Sequence, residues 1–438
     1  MNRRLFAIAA LTAAAAVPFA LRGEDKPDYV AHEWGTFTSM QGSDGVVLEG
    51  LQHEEEGLPG FVYSRSEVRD CPFRAHGYKG LEVDVENVTK KMETPVIYFY
   101  AKQPLHVRAR VCFNRGLLTQ WYPVSDLLGP PERAPEDGPL DMAKVEKSFL
   151  EWGVDVLGPG AGLGEIPDVP AGDPWAMQRL PDSNVVRTEE RRAPRLGPQE
   201  HEKFLFYRGL GAFDLPVVAK TERDQKLVLT NNGADAIRHL FVVHVRDGVG
   251  RFTYVEEAPA GGTITIDGLR LEKAANVDDM IARLRPALEA KLVAEGLYPK
   301  EAEAMTRTWE RSYFHTEGLR VLYVVPRAFV DRILPVALDP APREFVRVLV
   351  GRLECLTPED EAEVEAALRD WNSADGPAHA AAQRRLDRCG RFLEPYLRRI
   401  LASSKEERAL ANARAILASP RAAGTDSVPA VRKTEKKK

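Results

Sequence analysis

Four short strings of this 438-residue chain concentrate side chains able to do chemistry. The first, His32-Glu33-Trp34, sets an imidazole beside a carboxylate and an indole, types suited to acid–base work, metal ligation or ligand stacking. Neighbours on a strand point to opposite faces, so only one of His32 and Glu33 can address a given site there. Cross-strand hydrogen bonding is the simpler reading of that pair. The second string, His53-Glu54-Glu55-Glu56-Gly57, clusters carboxylates as a calcium loop would. It lacks the alternating Asp spacing of such loops, and a solvated acidic loop accounts for it more simply.

Third is Arg208 in Tyr207-Arg208-Gly209, where a guanidinium beside a glycine can clamp a carboxylate or phosphate, or pair with a structural acid. The fourth runs from Trp309 to Gly318. Trp309 and Tyr313 fall on one helical face at i, i+4, as do Arg311 and His315. With Glu310 and Glu317 nearby, the aromatic pair reads as a sugar-binding wall or as part of a carboxylate site for glycoside chemistry. Core packing by the same two rings is the bland alternative. A G-x-S-x-G elbow and an H-E-x-x-H pair are both absent, and the nine histidines show no ligand spacing, so no metal ligands are assigned. The glycine run from Gly158 to Gly164 is followed by no Lys-Ser/Thr pair, which leaves it a flexible loop rather than a phosphate cradle.

These strings must be positioned by a mainly β scaffold. Leu105, Val107, Ala109, Val111 and Phe113 alternate with polar residues, the period of a half-buried antiparallel strand. Gly42-Ser43-Asp44-Gly45 predicts a hairpin turn between strands near 32–40 and 46–50. Val96 to Tyr100, and further short runs between 204 and 266 separated by Asn-Gly and Asp-Gly turns, predict β-sandwich-like antiparallel sheets. Residues 123–200, rich in Pro and Gly, read as an irregular insertion with one helix near 141–152. A helical pair is expected over 277–315, with Ile281, Leu284, Leu288 and Leu292 on one stripe, Gly296 closing it and Pro299 opening the next helix. Strands return at 319–325 and 345–353. The β-rich region thus covers 24–355. Thr357-Pro358-Glu359-Asp360 is a helix start, and a HEAT-like pair follows, giving a helical C-terminal module over 356–419. Residues 420–438 read as a disordered basic tail.

At the other end, Arg3-Arg4 precede an alanine-rich apolar run to Leu21, the pattern of an export signal over 1–23 that places the mature chain in the periplasm or outside the cell. An uncleaved anchor is the alternative, since spanning helices need about 17–25 residues. Asn2-Arg3-Arg4-Leu5-Phe6 also fits the twin-arginine pattern. The net charge of −5 argues against a nucleic-acid partner. In an oxidising compartment Cys71, Cys112, Cys355 and Cys389 allow three disulfide pairings, of which Cys71–Cys112 and Cys355–Cys389 keep each bridge within one region. Four buried thiols are the alternative.

His32 to Ser39, Met92 to Tyr100, Phe206-Tyr207-Arg208-Gly209 and Gly318 to Tyr323 resemble strings of a family of uncharacterised exported bacterial proteins. The resemblance spans residues 30–355. It implies export and a shared fold, and carries no catalytic residue, substrate or cofactor. The expectation is an exported ligand-binding or scaffolding protein, whose ligand or protein partner belongs to the cell envelope. Candidate ligand contacts are Trp34, Arg208, Trp309 and Tyr313. The competing expectation is an envelope hydrolase using Glu310 or Glu317 with His32 and Glu33, with or without a metal.

Overall fold

A computed structural model describes residues 28–54, 57–65, 85–130, 138–189, 199–223, 226–267, 275–373 and 375–418. The export signal, the basic tail and Cys71 lie outside these residues. In chain order the first strands are β1 (Tyr29–Gln41), β2 (Tyr63–Ser64), β3 (Val85–Glu86), β4 (Lys90–Ala101), β5 (Leu105–Asn114), β6 (Gly116–Tyr122) and β7 (Leu127–Gly129). Then come β8 (Leu140–Asp141), β9 (Lys147–Val156), helix α1 (Pro174–Gln178), β10 (Val186–Thr188), β11 (His201–Glu202), β12 (Leu205–Gly211), β13 (Val217–Glu222) and β14 (Lys226–Asn231). After β15 (Ile237–Arg246), β16 (Val249–Ala258), β17 (Thr263–Ile266) and β18 (Ala275–Asn276), the chain turns helical. Helices α2 (Val277–Ala294) and α3 (Pro299–Trp309) lead into one π-helical turn, Glu310–Phe314. β19 (Gly318–Val324), α4 (Arg327–Ile333), β20 (Val336–Asp339) and β21 (Glu344–Cys355) complete the main region. Helices α5 (Pro358–Asp370), α6 (Gly376–Asp387), α7 (Leu393–Ser403) and α8 (Glu407–Ala418) form the C-terminal module.

The mixed, mainly β class is what the alternating patterns predict. A ten-stranded sheet runs β18-β16-β15-β19-β21-β1-β4-β12-β6-β2, and a six-stranded sheet runs β11-β10-β9-β5-β20 with β7 beside β9. β13, β14 and β17 form a third sheet. One face of the large sheet packs against the smaller sheets through Phe37, Ile97, Tyr207, Val111, Trp152 and Leu229. Its other face carries α1, α2 and α3 on Trp34, Val96, Tyr98, Phe206 and Val350. β1 is therefore buried along its whole length. It pairs antiparallel with β4 and parallel with β21, a departure from the all-antiparallel expectation.

Several local expectations are corrected. The helix expected near 141–152 is mostly strand: β9 buries Ser148, Leu150, Trp152, Val154 and Val156, a period of two that outweighs the helix-forming residues between them. The turn after β1 forms, Gly45 donating its N–H to the Gly42 carbonyl, but beyond it only Val47 bridges back to Gln41. Thr357 makes its capping box with Asp360. Ser404 Oγ accepts from the Glu406 N–H ahead of α8. Cys355 and Cys389 are free and buried, as is Cys112. The Cys355 thiol donates to the Leu353 carbonyl and the Cys389 thiol to the Arg385 carbonyl, and the expected bridge does not form. Among the described residues no helix is long and apolar enough to cross a membrane.

Candidate polar cleft at the helix–sheet boundary

Alternation along β1 sends His32, Trp34 and Thr36 to the helical side and Glu33 to the other. Glu33 is fully buried there, accepting from the Tyr207 hydroxyl and ion-paired with Arg347. His32 meets Glu301 of α3 through Nδ1 at 2.7 Å. The same carboxylate accepts from the Tyr100 hydroxyl at 2.6 Å and from the Tyr298 N–H at 2.7 Å. Glu310 pairs with Arg285, and Glu317 accepts from the Asp247 N–H at 3.2 Å. His32, Glu33, Glu310 and Glu317, the hydrolase set, thus occupy separate places and share no cleft. Trp34 is core, packed near Tyr98 with ring centroids 6.3 Å apart.

Three of the other candidates do converge. Arg208, Trp309 and Tyr313 line one solvent-open cleft of about 470 Å³ between α1 and the α3 end, over β4 and β12. Sequence reading missed four of its partners, Glu93, Thr94, Trp175 and Gln178. Asp173 caps α1 by accepting from the Trp175 N–H, and Pro174 occupies its first turn. That Asp-Pro-Trp start is the sequence signal that the loop-like composition of 123–200 concealed.

The floor is a β-bulge. Trp34 faces Val96 and Thr36 faces Glu93, so Thr94 and Pro95 together oppose Gly35. A Cβ on Gly35 would lie 2.9 Å from the Pro95 Cα, which is why glycine stands there. Thr94 has φ of +51°, a left-handed conformation that a β-branched residue adopts only where its surroundings enforce it. The opposite wall is irregular too, because the π-helical turn carries Ser312 and Tyr313 into the cleft.

Charges at the cleft are matched among themselves. Arg208, buried, meets Glu54 at 2.9 Å and Glu93 at 3.8 Å, and donates from Nε to Gln120 at 2.5 Å. Glu93 lies 3.7 Å from Lys91. Glu54 thus belongs to this network rather than to a solvated acidic loop. Trp309 and Tyr313 stack at 5.0 Å, and the Arg352 guanidinium lies 4.0 Å from the centre of the Tyr313 ring. Arg352 in turn donates to Glu354 at 2.6 Å. Burial alone would raise Glu354, but Arg320 and Arg352 hold it below the usual carboxylate range. Burial takes Arg320 down to about 10. The neutral polar atoms differ. Gln178 Oε1, Trp309 Nε1 and Thr94 Oγ1 are buried and have no hydrogen-bond partner among the described residues. Among the described residues no group of three His, Cys, Asp or Glu is placed to hold a metal ion.

Fold and site define a β-rich protein with a helix-walled cleft on its principal sheet. The chain matches no protein-family model and no curated protein. Among solved structures, the Fcho1 Mu homology domain of Danio rerio, with bound Eps15 peptide, is similar at 8% identity over 76% of this chain and 98% of that one. The TM-score is 0.29, a likeness on which no argument is built.

Proposed function

We propose that this chain is an exported binding protein that holds a small polar ligand of the cell envelope in the Arg208–Trp309–Tyr313 cleft. The observation that carries the reading is the convergence of Arg208 with Trp309 and Tyr313, a helical pair distant from it in sequence, on a cleft whose floor is the left-handed Thr94 bulge. Strain of that kind costs about 1–3 kcal/mol and survives where a particular geometry is required. Export rests on the N-terminal Arg3-Arg4 and apolar run. The C-terminal helices supply a second surface for a protein partner or self-association.

The test is direct. The full-length chain, expressed with its leader, is recovered from the envelope fraction and titrated with soluble peptidoglycan fragments and envelope glycans, following fluorescence of Trp175 and Trp309. Saturable quenching that Arg208→Ala weakens at least tenfold, in a variant that still unfolds cooperatively above the assay temperature, supports the reading. Retention in the cytoplasm overturns export. No saturable response to any of these ligands, or equal affinity in the variant, overturns the cleft as the binding site.

A further inference from the structure

A second cluster of chemistry-bearing side chains lies at the C-terminal end of α2, and none of its residues lines the cleft. It begins with a break in strand β15. Arg238 faces Val324 of β19 and Phe241 faces Leu322, so His239 and Leu240 together oppose Tyr323. His239 takes the left-handed conformation there, with φ of +56°. The extra residue changes which side of the sheet the chain addresses. Ile237 and Leu240 enter the core shared with the smaller sheets, whereas His239 joins Phe241 on the helical side. In an unbroken strand His239 would follow Ile237 into that apolar core.

The imidazole stands between two partners. Its Nε2 lies 3.2 Å from Oε1 of Glu295, the residue that ends α2, and its Nδ1 lies 2.9 Å from the Tyr254 hydroxyl on β16. The two rings are 20° from coplanar with centroids 6.2 Å apart, which suits a hydrogen bond between ring edges. Valence fixes the roles. A carboxylate only accepts, so Nε2 carries the imidazole proton, and the lone pair of Nδ1 receives the hydrogen bond that Tyr254 donates. Burial is the largest influence on this imidazole and holds it below the usual 6.5; Glu295 and Glu256 oppose that, while Lys291 and Arg238 add to it. His239 is therefore neutral near pH 7 and able to take a proton. Lys291 Nζ lies 4.7 Å from the centre of the Tyr254 ring, a positive charge beside the group on which negative charge develops during attack. The His239 and Glu295 side chains are 11% and 26% exposed and Tyr254 is half-buried, so the cluster opens to solvent.

Carboxylate, imidazole and hydroxyl in series are the arrangement that turns a hydroxyl into a nucleophile. We infer that Tyr254 is a nucleophilic tyrosine that accepts acyl groups from activated acyl donors, with His239 as its base and Glu295 as the positioning residue. The Tyr254 oxygen bonds to the acyl carbon while its proton passes to His239 Nδ1. The bond from that carbon to the leaving group breaks, the electron pair goes to the leaving group, and His239 returns the proton to it. A tyrosyl ester remains. The test treats the full chain with limiting N-acetylimidazole beside free N-acetyltyrosinamide and follows Tyr254 by peptide mass spectrometry. Hydroxylamine, which cleaves tyrosyl esters but not lysyl amides, separates Tyr254 from Lys291. Tyr254 is expected to react about tenfold or more faster than the free amide near neutral pH. Above 6.5 its rate should be level with pH, because His239 is already neutral, whereas that of the free amide climbs. His239→Asn removes the base with a residue that tolerates the left-handed backbone, and should bring Tyr254 down to the rate of the free amide or below. Glu295→Gln should slow Tyr254 about threefold or more, and decides the matter if His239→Asn folds poorly. Tyr254 no faster than the free amide, a Tyr254 rate that climbs with pH as the free amide's does, or a rate unchanged in the folded variant overturns the inference.

Discussion

Replacing Thr94 by alanine and by glycine gives a test in which the usual order of the two residues reverses. At an ordinary strand position glycine is less stable than alanine by about 0.5–1 kcal/mol, because its backbone loses more freedom on folding. Thr94 has φ of +51°, where any Cβ-bearing residue pays about 1–2 kcal/mol and glycine pays none. Subtracting the first effect from the second leaves Thr94→Gly more stable than Thr94→Ala by about 0.5–1 kcal/mol. Both variants lose the hydroxyl and the methyl group, so their difference isolates the backbone. For a chain of this size the shift in melting temperature is on the order of 1 °C, which calls for paired scans of the two variants and for urea midpoints. Alanine equal to or better than glycine would refute the claim that this bulge is strained. Both variants should lose affinity for the cleft ligand, which separates the strain from its use.

Two further outcomes are expected. Glu33→Gln leaves Arg347, whose side chain is 1% exposed, with Asp331 at 2.7 Å as its remaining charged partner among the described residues, and should cost about 3 kcal/mol or more in a denaturant titration. A cost below about 1 kcal/mol would show that this ion pair is not what holds β1 to β21. Burial lowers Lys90 to about 7, against the weaker opposing pull of Asp214. Between pH 7 and the lysine value of the unfolded chain, about 10.4, the unfolded state therefore binds more protons, and stability rises with pH. Lys90→Met should flatten that rise and stabilise the protein most at and below pH 7; a wild-type curve already flat across the window would count against the buried ammonium.

Local periodicity carried the strand and helix elements well where one pattern dominated, as in β5, α2 and α5. It failed where tertiary context decided, as in β9, whose Glu151 and Lys147 suit a helix while Leu150, Trp152 and Val154 complete a sheet core. The candidate site was legible residue by residue but not as a constellation. Arg208, Trp309 and Tyr313 announce themselves by type, whereas Thr94 matters because of a bulge opposite Gly35, and that registry exists only once β1 and β4 are paired. Glu33 and His32, adjacent in sequence, separate to opposite faces because a strand obliges them to. The expected pairing of Cys355 with Cys389 does not form, and each buried thiol donates to a local carbonyl.

The parallel ladder between β1 and β21 also bears on how the chain comes to be folded. Glu33 and Arg347, which meet on adjacent strands, are 314 positions apart, and the ladder runs from Val30–Glu344 to Gln41–Cys355. During synthesis, then, the first strand of the large sheet emerges more than 300 residues before the neighbour that closes one of its edges. Until that neighbour arrives, β1 offers the row of unpaired amides on which foreign strands add. Contacts of such long range slow folding, because the loop entropy falls due before the pairing rewards it. A cell making this protein must therefore shield a long apolar strand through nearly the whole of translation, and a chain cut short before Glu344 would be an aggregation seed rather than a smaller version of the same fold.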